Sequence, residues 1–242
     1  MEKLVGTLNE ITRYPVKSFR GESVQTTTIE SYGLYGDRSH AFLDETRAGK
    51  FLTATQLPEM IGYAAEFNGE ENLEKFPSIK ITSPEGKVYK WGDETLTREL
   101  EELSGRMLSP IQYEPAYIPF GAIEEEHILL TTDASLKELE KIWENKVDNR
   151  RFRPNFLITL NEEKSFIEET WFGKSLLIGE AEIEIIRYCD RCMIVTIDPD
   201  TCDRQSSLLR KIVKERSNHF GVYASVKKTG KVSVGDLIYL KD

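Results

Sequence analysis

Residues 187–203 read RYCDRCMIVTIDPDTCD and contain all three cysteines of the chain. Just before them, residues 182–186 alternate acidic and apolar side chains, a pattern that predicts a β-strand. After the cysteines, residues 193–197 predict a second strand, which ends at an Asp-Pro-Asp turn. We therefore expect Cys189 and Cys192 to lie on a link between two strands.

This Cys-x-x-Cys pattern is compatible with several kinds of site. A thioredoxin-type pair opens a helix, where the helix dipole lowers the thiol pKa. A structural zinc site needs two further ligands, and the sequence has no second cysteine pair. A single thiolate with an arginine beside it can instead be one soft ligand to a metal. The plain alternative is that both cysteines are small buried apolar residues.

Length and composition indicate an acidic globular protein. The 242 residues can bury a core as one large domain or two small ones. The net charge of −9 argues against nucleic acid and against an anionic membrane surface as partners. No stretch approaches the roughly 20 apolar residues of a membrane span, so we expect no membrane association. Three cysteines make no disulfide framework, and we expect a cytoplasmic protein with reduced thiols.

The most basic stretch is residues 149–155, Asn-Arg-Arg-Phe-Arg-Pro-Asn, which contains three arginines and no acid. Arginine presents a planar, permanently charged fork that suits phosphate. Asn155 can both donate and accept hydrogen bonds. The stretch is therefore either an anion-binding loop or a solvated basic loop ahead of a strand predicted at residues 156–160.

Helical periodicity predicts two helices whose buried faces can be named. The first spans residues 93–105, and its apolar face carries Leu96, Leu100 and Leu103. The second spans residues 206–217, and we expect Leu209, Ile212 and Val213 to point inward.

Several motifs together resemble the MOSC family (molybdenum cofactor sulfurase C-terminal domain), in particular the branch that contains the amidoxime-reducing component. The cysteine stretch and the basic stretch both resemble motifs of that family. So do Tyr-Pro-Val-Lys-Ser at residues 14–18, Gly-Asp-Arg at 36–38 and Phe-Gly-Val-Tyr at 220–223. The motifs are specific in combination, and the resemblance runs from Tyr14 to Leu240.

The resemblance implies a mostly β fold with flanking helices (α+β). It implies an N-terminal β-barrel-like domain over residues 1–115, followed by a mixed MOSC β-barrel over residues 116–242. The cofactor would lie between the two.

The resemblance also implies a bound molybdenum cofactor (molybdopterin), with Cys192 as the ligand of molybdenum. The catalytic residues would be Cys192, Asp198, which braces the loop, and Tyr223. The cofactor-binding residues would be Lys17, Ser18, Arg38, Arg151, Arg153, Asn155 and Arg191. The implied activity is reduction of N-hydroxylated or N-oxidised small molecules, with electrons from a separate electron-transfer protein or flavin reductase.

Two alternatives remain open at this point. The chain could carry the cofactor or its sulfur without reducing N-oxides, because the family also occurs as the tail of a pyridoxal-phosphate-dependent sulfurase. It could also be a relative that has lost the cofactor.

Three departures from the family pattern bear on that choice. Thr55 replaces an arginine, so we expect a missing anion contact or an altered substrate preference. Glu124-Glu125-Glu126 replaces small polar residues, and these carboxylates would repel an anion unless they point outward. Cys202 replaces a glycine that permits positive φ, so the turn could differ there.

Overall fold

The computed structural model describes residues 2–121 and 125–241, which contain sixteen strands and three α-helices. The strands in the first half are β1 (Glu2–Arg13), β2 (Glu22–Val24), β3 (Thr26–Glu30), β4 (Gly33–Leu34), β5 (His40–Asp44), β6 (Ala64–Asn68), β7 (Ser78–Thr82), β8 (Val88–Lys90) and β9 (Leu108–Gln112). Those in the second half are β10 (Ile128–Thr132), β11 (Phe156–Leu160), β12 (Ser175–Ile178), β13 (Ala181–Asp190), β14 (His219–Lys228), β15 (Gly230–Ser233) and β16 (Leu237–Lys241). The α-helices are α1 (Glu94–Ser104), α2 (Asp133–Trp143) and α3 (Ser207–Arg216), and short 3-10 helices lie at Pro58–Gly62, Asn149–Phe152, Ile167–Thr170 and Met193–Thr196.

Seven strands close into a barrel in the order β11-β10-β14-β13-β12-β16-β1, and β1 pairs with β11 to complete the circle. All neighbours in the circle are antiparallel except β10 and β11. That pair is parallel because α2 forms the crossover between them. Closure pairs the two outer strands of the sheet and so removes exposed edges.

The barrel interior is packed with aliphatic side chains that alternate along each strand. Ile183 and Ile185 of β13 are fully buried, whereas Glu182 and Glu184 between them are half-buried on the outer side. Leu8 and Ile11 of β1 join the same core. The predicted strand at 182–186 is thus confirmed as part of β13, and the predicted mostly β fold with flanking helices is confirmed.

Three smaller sheets accompany the barrel; one of them packs on the barrel core, and the other two bury a second core. They have the orders β15-β3-β4, β5-β9 and β6-β7-β8. The second core includes Phe19, Phe42 and Ile81, together with Leu96 and Leu100 of α1. Strand β1 from the start of the chain lies within the barrel, between strands from the second half. The boundary between residues 115 and 116 stays a prediction.

Helix α1 follows its predicted limits closely. Asp93 caps its start by accepting a hydrogen bond from the Thr95 N–H, and Gly105 ends it with φ +67°. Leu103 was expected on the buried face but is 50% exposed. None of the helices in the described part of the chain combines the length and the apolar character needed to cross a membrane.

Helix α3 buries one of the three side chains that were predicted to point inward, Ile212, and buries Leu208 beside it. Leu208 and Ile212 are fully buried, whereas Val213 is 52% exposed and Leu209 is half-buried. The prediction of an inward Val213 was wrong, because residues four apart share the face that packs on the core.

The predicted strand at residues 193–197 was also wrong, since this segment forms the 3-10 helix Met193–Thr196. The Thr196 hydroxyl donates to the Met193 carbonyl at 2.7 Å, and the Ile197 N–H donates to the Ile194 carbonyl at 3.0 Å. These local bonds replace a strand ladder. Val195 contributes to a core with α2 and α3, so tertiary packing outweighs the β propensity of the sequence.

Glu168 is a buried carboxylic acid held by a neutral hydroxyl group. Its side chain is 0% exposed, and Oε2 accepts from the Thr132 hydroxyl at 3.2 Å. Within the described residues Oε1 has no hydrogen-bond partner. Burial raises the pKa of Glu168 from 4.5 to about 7.

This shift predicts a specific pH dependence of stability. The folded state holds the Glu168 proton up to about pH 7, whereas the unfolded state releases it near pH 4.5. The stabilisation is therefore complete below pH 4.5 and is lost as the pH rises through 7, by ~3 kcal/mol. Glu168→Gln should flatten the fall in the free energy of unfolding between pH 5 and 8, measured by denaturant titration. The exposed Glu102→Gln is the control, and equal slopes for both variants would contradict the prediction.

Candidate functional site

A cleft of about 210 Å³ lies where the end of β13 meets the loops after β1, before β5 and before β11. Seven of the predicted site residues line it: Lys17, Ser18, Arg38, Arg153, Arg191, Cys192 and Tyr223. The cleft wall also contains Thr53, Thr55, Leu129, Phe152, Cys189, Asp190 and Ile194. The other three predicted residues, Arg151, Asn155 and Asp198, lie outside this lining.

The two cysteines of the Cys-x-x-Cys differ sharply in environment. Cys189 is the ninth residue of β13 and is 1% exposed, whereas Cys192 follows the strand and is exposed. Arg191 Nη1 donates to Cys189 Sγ at 2.7 Å. Cys192 Sγ is therefore the thiol of this pair that a ligand in the cleft can reach, while Cys189 forms part of the wall behind it.

Three buried guanidinium groups make the cleft basic. Arg38, Arg153 and Arg191 are 1%, 5% and 6% exposed. Arg153 Nη1 donates to the Phe19 carbonyl at 2.8 Å, and Arg191 Nη2 donates to the Phe152 carbonyl at 2.9 Å. Guanidinium groups are permanently charged and present planar hydrogen-bond donors, so a cleft with three of them favours an anionic ligand.

Arg191 retains an unused donor at the cleft. Its Nε atom is buried and has no hydrogen-bond partner among the described residues. A buried donor without an acceptor costs free energy, and an acceptor on a bound ligand would remove that cost.

Three cleft residues have a left-handed backbone although none of them is glycine. The φ angles are +70° at Ser18, +53° at Arg38 and +55° at Arg153. Each such residue costs on the order of 1–2 kcal/mol and persists only where its surroundings hold it in place. All three residues line the same cleft, so the strained backbone at these positions sets the direction of their side chains.

Asn155 supports the cleft from behind. It is 2% exposed, its Oδ1 accepts from the Leu129 N–H at 3.0 Å, and its Nδ2 donates to Asp37 Oδ2 at 3.2 Å. Asp37 forms a buried ion pair with Arg38. The structure thus places Asn155 where it orients the carboxylate that holds Arg38.

Arg151 and Asp198 bind each other away from the cleft. Arg151 Nη2 lies 2.5 Å from Asp198 Oδ2, while Asp198 Oδ1 accepts from the N–H groups of Asp200 and Thr201, each at 3.0 Å. Partial burial raises the pKa of Asp198, but these N–H groups and the Arg151 charge outweigh it and hold the pKa below its ordinary value. Asp198 therefore braces the turn as an ionised carboxylate, with Arg151 as its partner.

Comparison with known proteins identifies the family. The model of the MOSC domain matches residues 110–239, and that of the MOSC N-terminal beta barrel domain matches residues 5–93. The chain belongs to the MOSC domain family.

Relatives of this MOSC protein cover nearly the whole chain at low identity. It is 27% identical to mitochondrial amidoxime reducing component 2 of Bos taurus, over 97% of this chain and 83% of that protein. It is 25% identical to mitochondrial amidoxime-reducing component 1 of Homo sapiens, over 98% and 83%. The crystal structure of the YUAD protein from Bacillus subtilis has a TM-score of 0.51 and 12% identity over 99% of this chain and 98% of that one, a likeness of fold alone.

Cys202 of this MOSC protein keeps the backbone of the glycine that it replaces. Its φ is +62°, and its N–H donates to the Asp198 carbonyl at 2.9 Å. Burial raises the pKa of its thiol, and Cys202 does not line the cleft. The turn thus has a positive φ at Cys202 although this residue is not glycine, and Cys202 is separate from the cleft thiols.

Two residues of the acidic segment, Glu125 and Glu126, are described by the structure and do not line the cleft. Glu124 lies outside the described residues. Glu125 and Glu126 bind Arg187, at 2.7 Å to Nη2 and 3.0 Å to Nε. The Arg187 guanidinium lies 4.8 Å from the centre of the ring of Tyr223, which lines the cleft, whereas Arg187 does not line it. Arg187 therefore pairs with both carboxylates and offsets one of their two negative charges.

Thr55 makes one wall of the cleft neutral. Its hydroxyl is 2.8 Å from that of Thr53, and its carbonyl accepts from Arg204 Nη2 at 2.8 Å. An arginine here would add a fourth guanidinium to the cleft, so this MOSC protein has hydroxyl groups where the family pattern supplies charge.

Several cleft residues had no role in the sequence analysis. Leu129, Phe152 and Ile194 form the apolar part of the wall, and Asp190 provides a carboxylate. Asp37 stood within the quoted Gly-Asp-Arg motif and could have been recognised as the partner of the arginine that follows it. The aliphatic and aromatic wall residues have no local signal, because apolar residues at those positions are equally typical of the core.

The side chains of the cleft fit an anionic cofactor that brings most of its own metal ligands. Among residues 2–121 and 125–241, no group of three or more His, Cys, Asp or Glu side chains could hold a metal ion. The cleft instead offers one accessible thiol and four cationic side chains, those of Lys17, Arg38, Arg153 and Arg191. A soft thiolate and several fixed cations suit a metal carried by an anionic organic ligand.

The cleft geometry distinguishes Arg153 from its neighbour Arg150. Arg153→Ala should lower cofactor occupancy about ten-fold or more, since a lost charge-assisted bond costs about 1.5–3 kcal/mol. The matched control Arg150→Ala removes an exposed guanidinium of the same loop, bound to Asp148 and Asp200, and should leave occupancy unchanged. Molybdenum and pterin content of protein purified from a cofactor-producing host is the measurement. Full occupancy in Arg153→Ala would show that this arginine does not hold the cofactor.

Proposed function

We propose that this MOSC protein is a molybdenum-cofactor oxidoreductase that reduces N-hydroxylated and N-oxidised small molecules with electrons from a separate protein. The observation that carries this proposal is the cleft, in which the accessible thiol of Cys192 faces three buried guanidinium groups. The two relatives named amidoxime-reducing components, which align over nearly the whole chain, support the class of reaction.

The proposed roles in cofactor binding follow from the donor set. Cys192 would provide the thiolate ligand to molybdenum. Arg38, Arg153 and Arg191, with Lys17, would hold the anionic phosphate and the hydrogen-bonding edges of the pterin. The bound cofactor would supply the two-electron reduction at its metal.

The apolar cleft residues and Tyr223 would bind the substrate, and Lys17 would add a second hydrogen-bond donor beside the cofactor. Leu129, Phe152 and Ile194 offer an apolar surface to the organic part of the substrate. The reaction R–NH–OH + 2e⁻ + 2H⁺ → R–NH₂ + H₂O requires protons at the departing oxygen. The Tyr223 hydroxyl and the Lys17 ammonium carry protons at the cleft wall and can donate hydrogen bonds to that oxygen.

A second candidate function is a carrier of the cofactor or of sulfur. The observation in its favour is the second thiol, Cys189, which lines the same cleft and accepts a hydrogen bond from Arg191. A pair of sulfur atoms at one site suits sulfur transfer, and a carrier of this kind would bind the cofactor without reducing N-oxides. Reduction of benzamidoxime, an N-hydroxylated compound, separates the two functions.

The proposed setting is the cytoplasm. All three cysteines are free, and Cys189 and Cys192 are close in sequence yet unbonded, as expected for thiols kept in a reducing compartment.

The first test concerns the two cleft cysteines. Cys192→Ser should abolish molybdenum-dependent reduction and leave the fold intact, because a serine hydroxyl does not ionise near neutral pH to replace a thiolate. Cys189→Ser is the matched control and should retain measurable activity. Both variants are assayed for benzamidoxime reduction with reduced viologen, and circular dichroism checks the fold. Equal loss in both variants, or no loss in Cys192→Ser, would overturn the assignment.

The second test concerns the source of electrons. An iron–sulfur cluster needs four cysteine ligands, and this sequence has three cysteines and no dinucleotide-binding fingerprint. The purified protein should therefore show no turnover with NADPH and benzamidoxime alone. Adding a flavin reductase with a small electron carrier, or reduced viologen, should start it. NADPH oxidation by the protein alone, coupled to loss of substrate, would refute the need for a separate donor.

A further inference from the structure

The ring of Tyr14 contacts two of the cleft arginines at once. The guanidinium carbon of Arg38 lies 4.5 Å from the ring centre, and that of Arg153 lies 4.1 Å from it. Tyr14 itself is 4% exposed and does not line the cleft. A guanidinium over an aromatic face is attracted by the ring quadrupole, and this attraction is larger where water is excluded.

Tyr14 also joins the backbone segments that carry the two arginines. Its N–H donates to Asp37 Oδ1 at 2.7 Å, and its carbonyl accepts from the Arg38 N–H at 2.6 Å. Its hydroxyl donates to the Pro154 carbonyl, next to Arg153, at 3.1 Å. One buried residue thus links residues 37–38 to residues 153–154.

The two arginines that Tyr14 links both have a left-handed backbone and lie close together. Arg38 and Arg153 each have a positive φ, and Arg38 Nη2 lies 3.4 Å from the Arg153 carbonyl. The Asp37 carboxylate offsets the charge of Arg38, and Arg153 adds a second guanidinium beside this ion pair. Guanidinium groups are planar donors that suit phosphate oxygens, so the arrangement suits an anion such as a phosphate group that contacts both arginines.

We infer that Tyr14 is a positioning residue that aligns Arg38 and Arg153 as one anion-binding pair. The ligand of this pair is a phosphate group. Only the identification of that phosphate as part of the cofactor rests on the proposed function. The alignment of the pair can be tested on cofactor-free protein and needs no catalytic turnover.

The experiment compares three substitutions of Tyr14 in the full chain, produced in a host that makes no cofactor. Inorganic phosphate is the probe, and its dissociation constant is measured by ³¹P line broadening. Tyr14→Phe and Tyr14→Trp keep an aromatic face and should bind phosphate within about three-fold of the unsubstituted protein. Tyr14→Leu removes the face that holds both guanidinium groups and should weaken phosphate binding about ten-fold.

Phe76→Leu is the matched control for the loss of a buried ring. Phe76 is 4% exposed, packs against the rings of Tyr35 and Phe67, and does not line the cleft. It should lose stability as Tyr14→Leu does and keep its phosphate affinity. The thermal midpoint of each variant is measured alongside, so that binding is compared only on folded protein.

The outcomes separate this inference from the proposed function. Weak phosphate binding in Tyr14→Leu with rescue in Tyr14→Phe and Tyr14→Trp supports the positioning role, even if benzamidoxime is never reduced. Equal weakening in Tyr14→Leu and Phe76→Leu would overturn it, and so would unchanged binding in Tyr14→Leu. Absence of phosphate binding to the unsubstituted protein would overturn the anion-binding pair itself.

Discussion

The buried carboxylate of Asp37 is the contact on which the cleft depends. It is 0% exposed, forms an ion pair with Arg38, and accepts hydrogen bonds from the Tyr14 N–H and from Asn155 Nδ2. A buried ion pair is stable only when its remaining hydrogen bonds are satisfied, and removing one partner leaves an uncompensated charge. The loops after β1, before β5 and before β11 must therefore come together for any one of them to be stable.

The barrel makes this junction rigid. Strand β1 pairs with β11, so the loop that follows β1 and the loop that precedes β11 emerge side by side at the same end of the two strands. The Thr12 N–H donates to the Asn155 carbonyl at 2.8 Å, which continues that pairing into the loops. A closed, densely packed scaffold can hold the left-handed conformations of Ser18, Arg38 and Arg153. The backbone strain at the cleft is thus balanced by the packing of the strands beneath it.

Sequence patterns predicted best where a local rule dominates. The alternation at residues 182–186 predicted part of β13, and Asp93 and Gly105 marked both ends of α1, because capping and alternation depend on near neighbours. Residues 193–197 show where such rules fail. Their strand-like composition is overridden by contacts with α2, which is distant in sequence, and with α3, which follows later in the chain. The exposed Val213 of α3 has the same explanation, since the buried face is chosen by what packs against it.

By itself the sequence determined the chemical groups available to this MOSC protein. These are two thiols in a Cys-x-x-Cys and several arginines clustered in an otherwise acidic chain. Only the tertiary structure decided how they are used. Arg151 and Arg153 are two residues apart, yet Arg151 binds Asp198 and Arg153 lines the cleft, because a positive φ at Arg153 redirects the chain. Likewise Cys192 is exposed and Cys189 is buried because β13 ends between them. The residue type does not determine where an arginine or cysteine side chain points. Its orientation depends on the backbone conformation, which contacts distant in sequence impose.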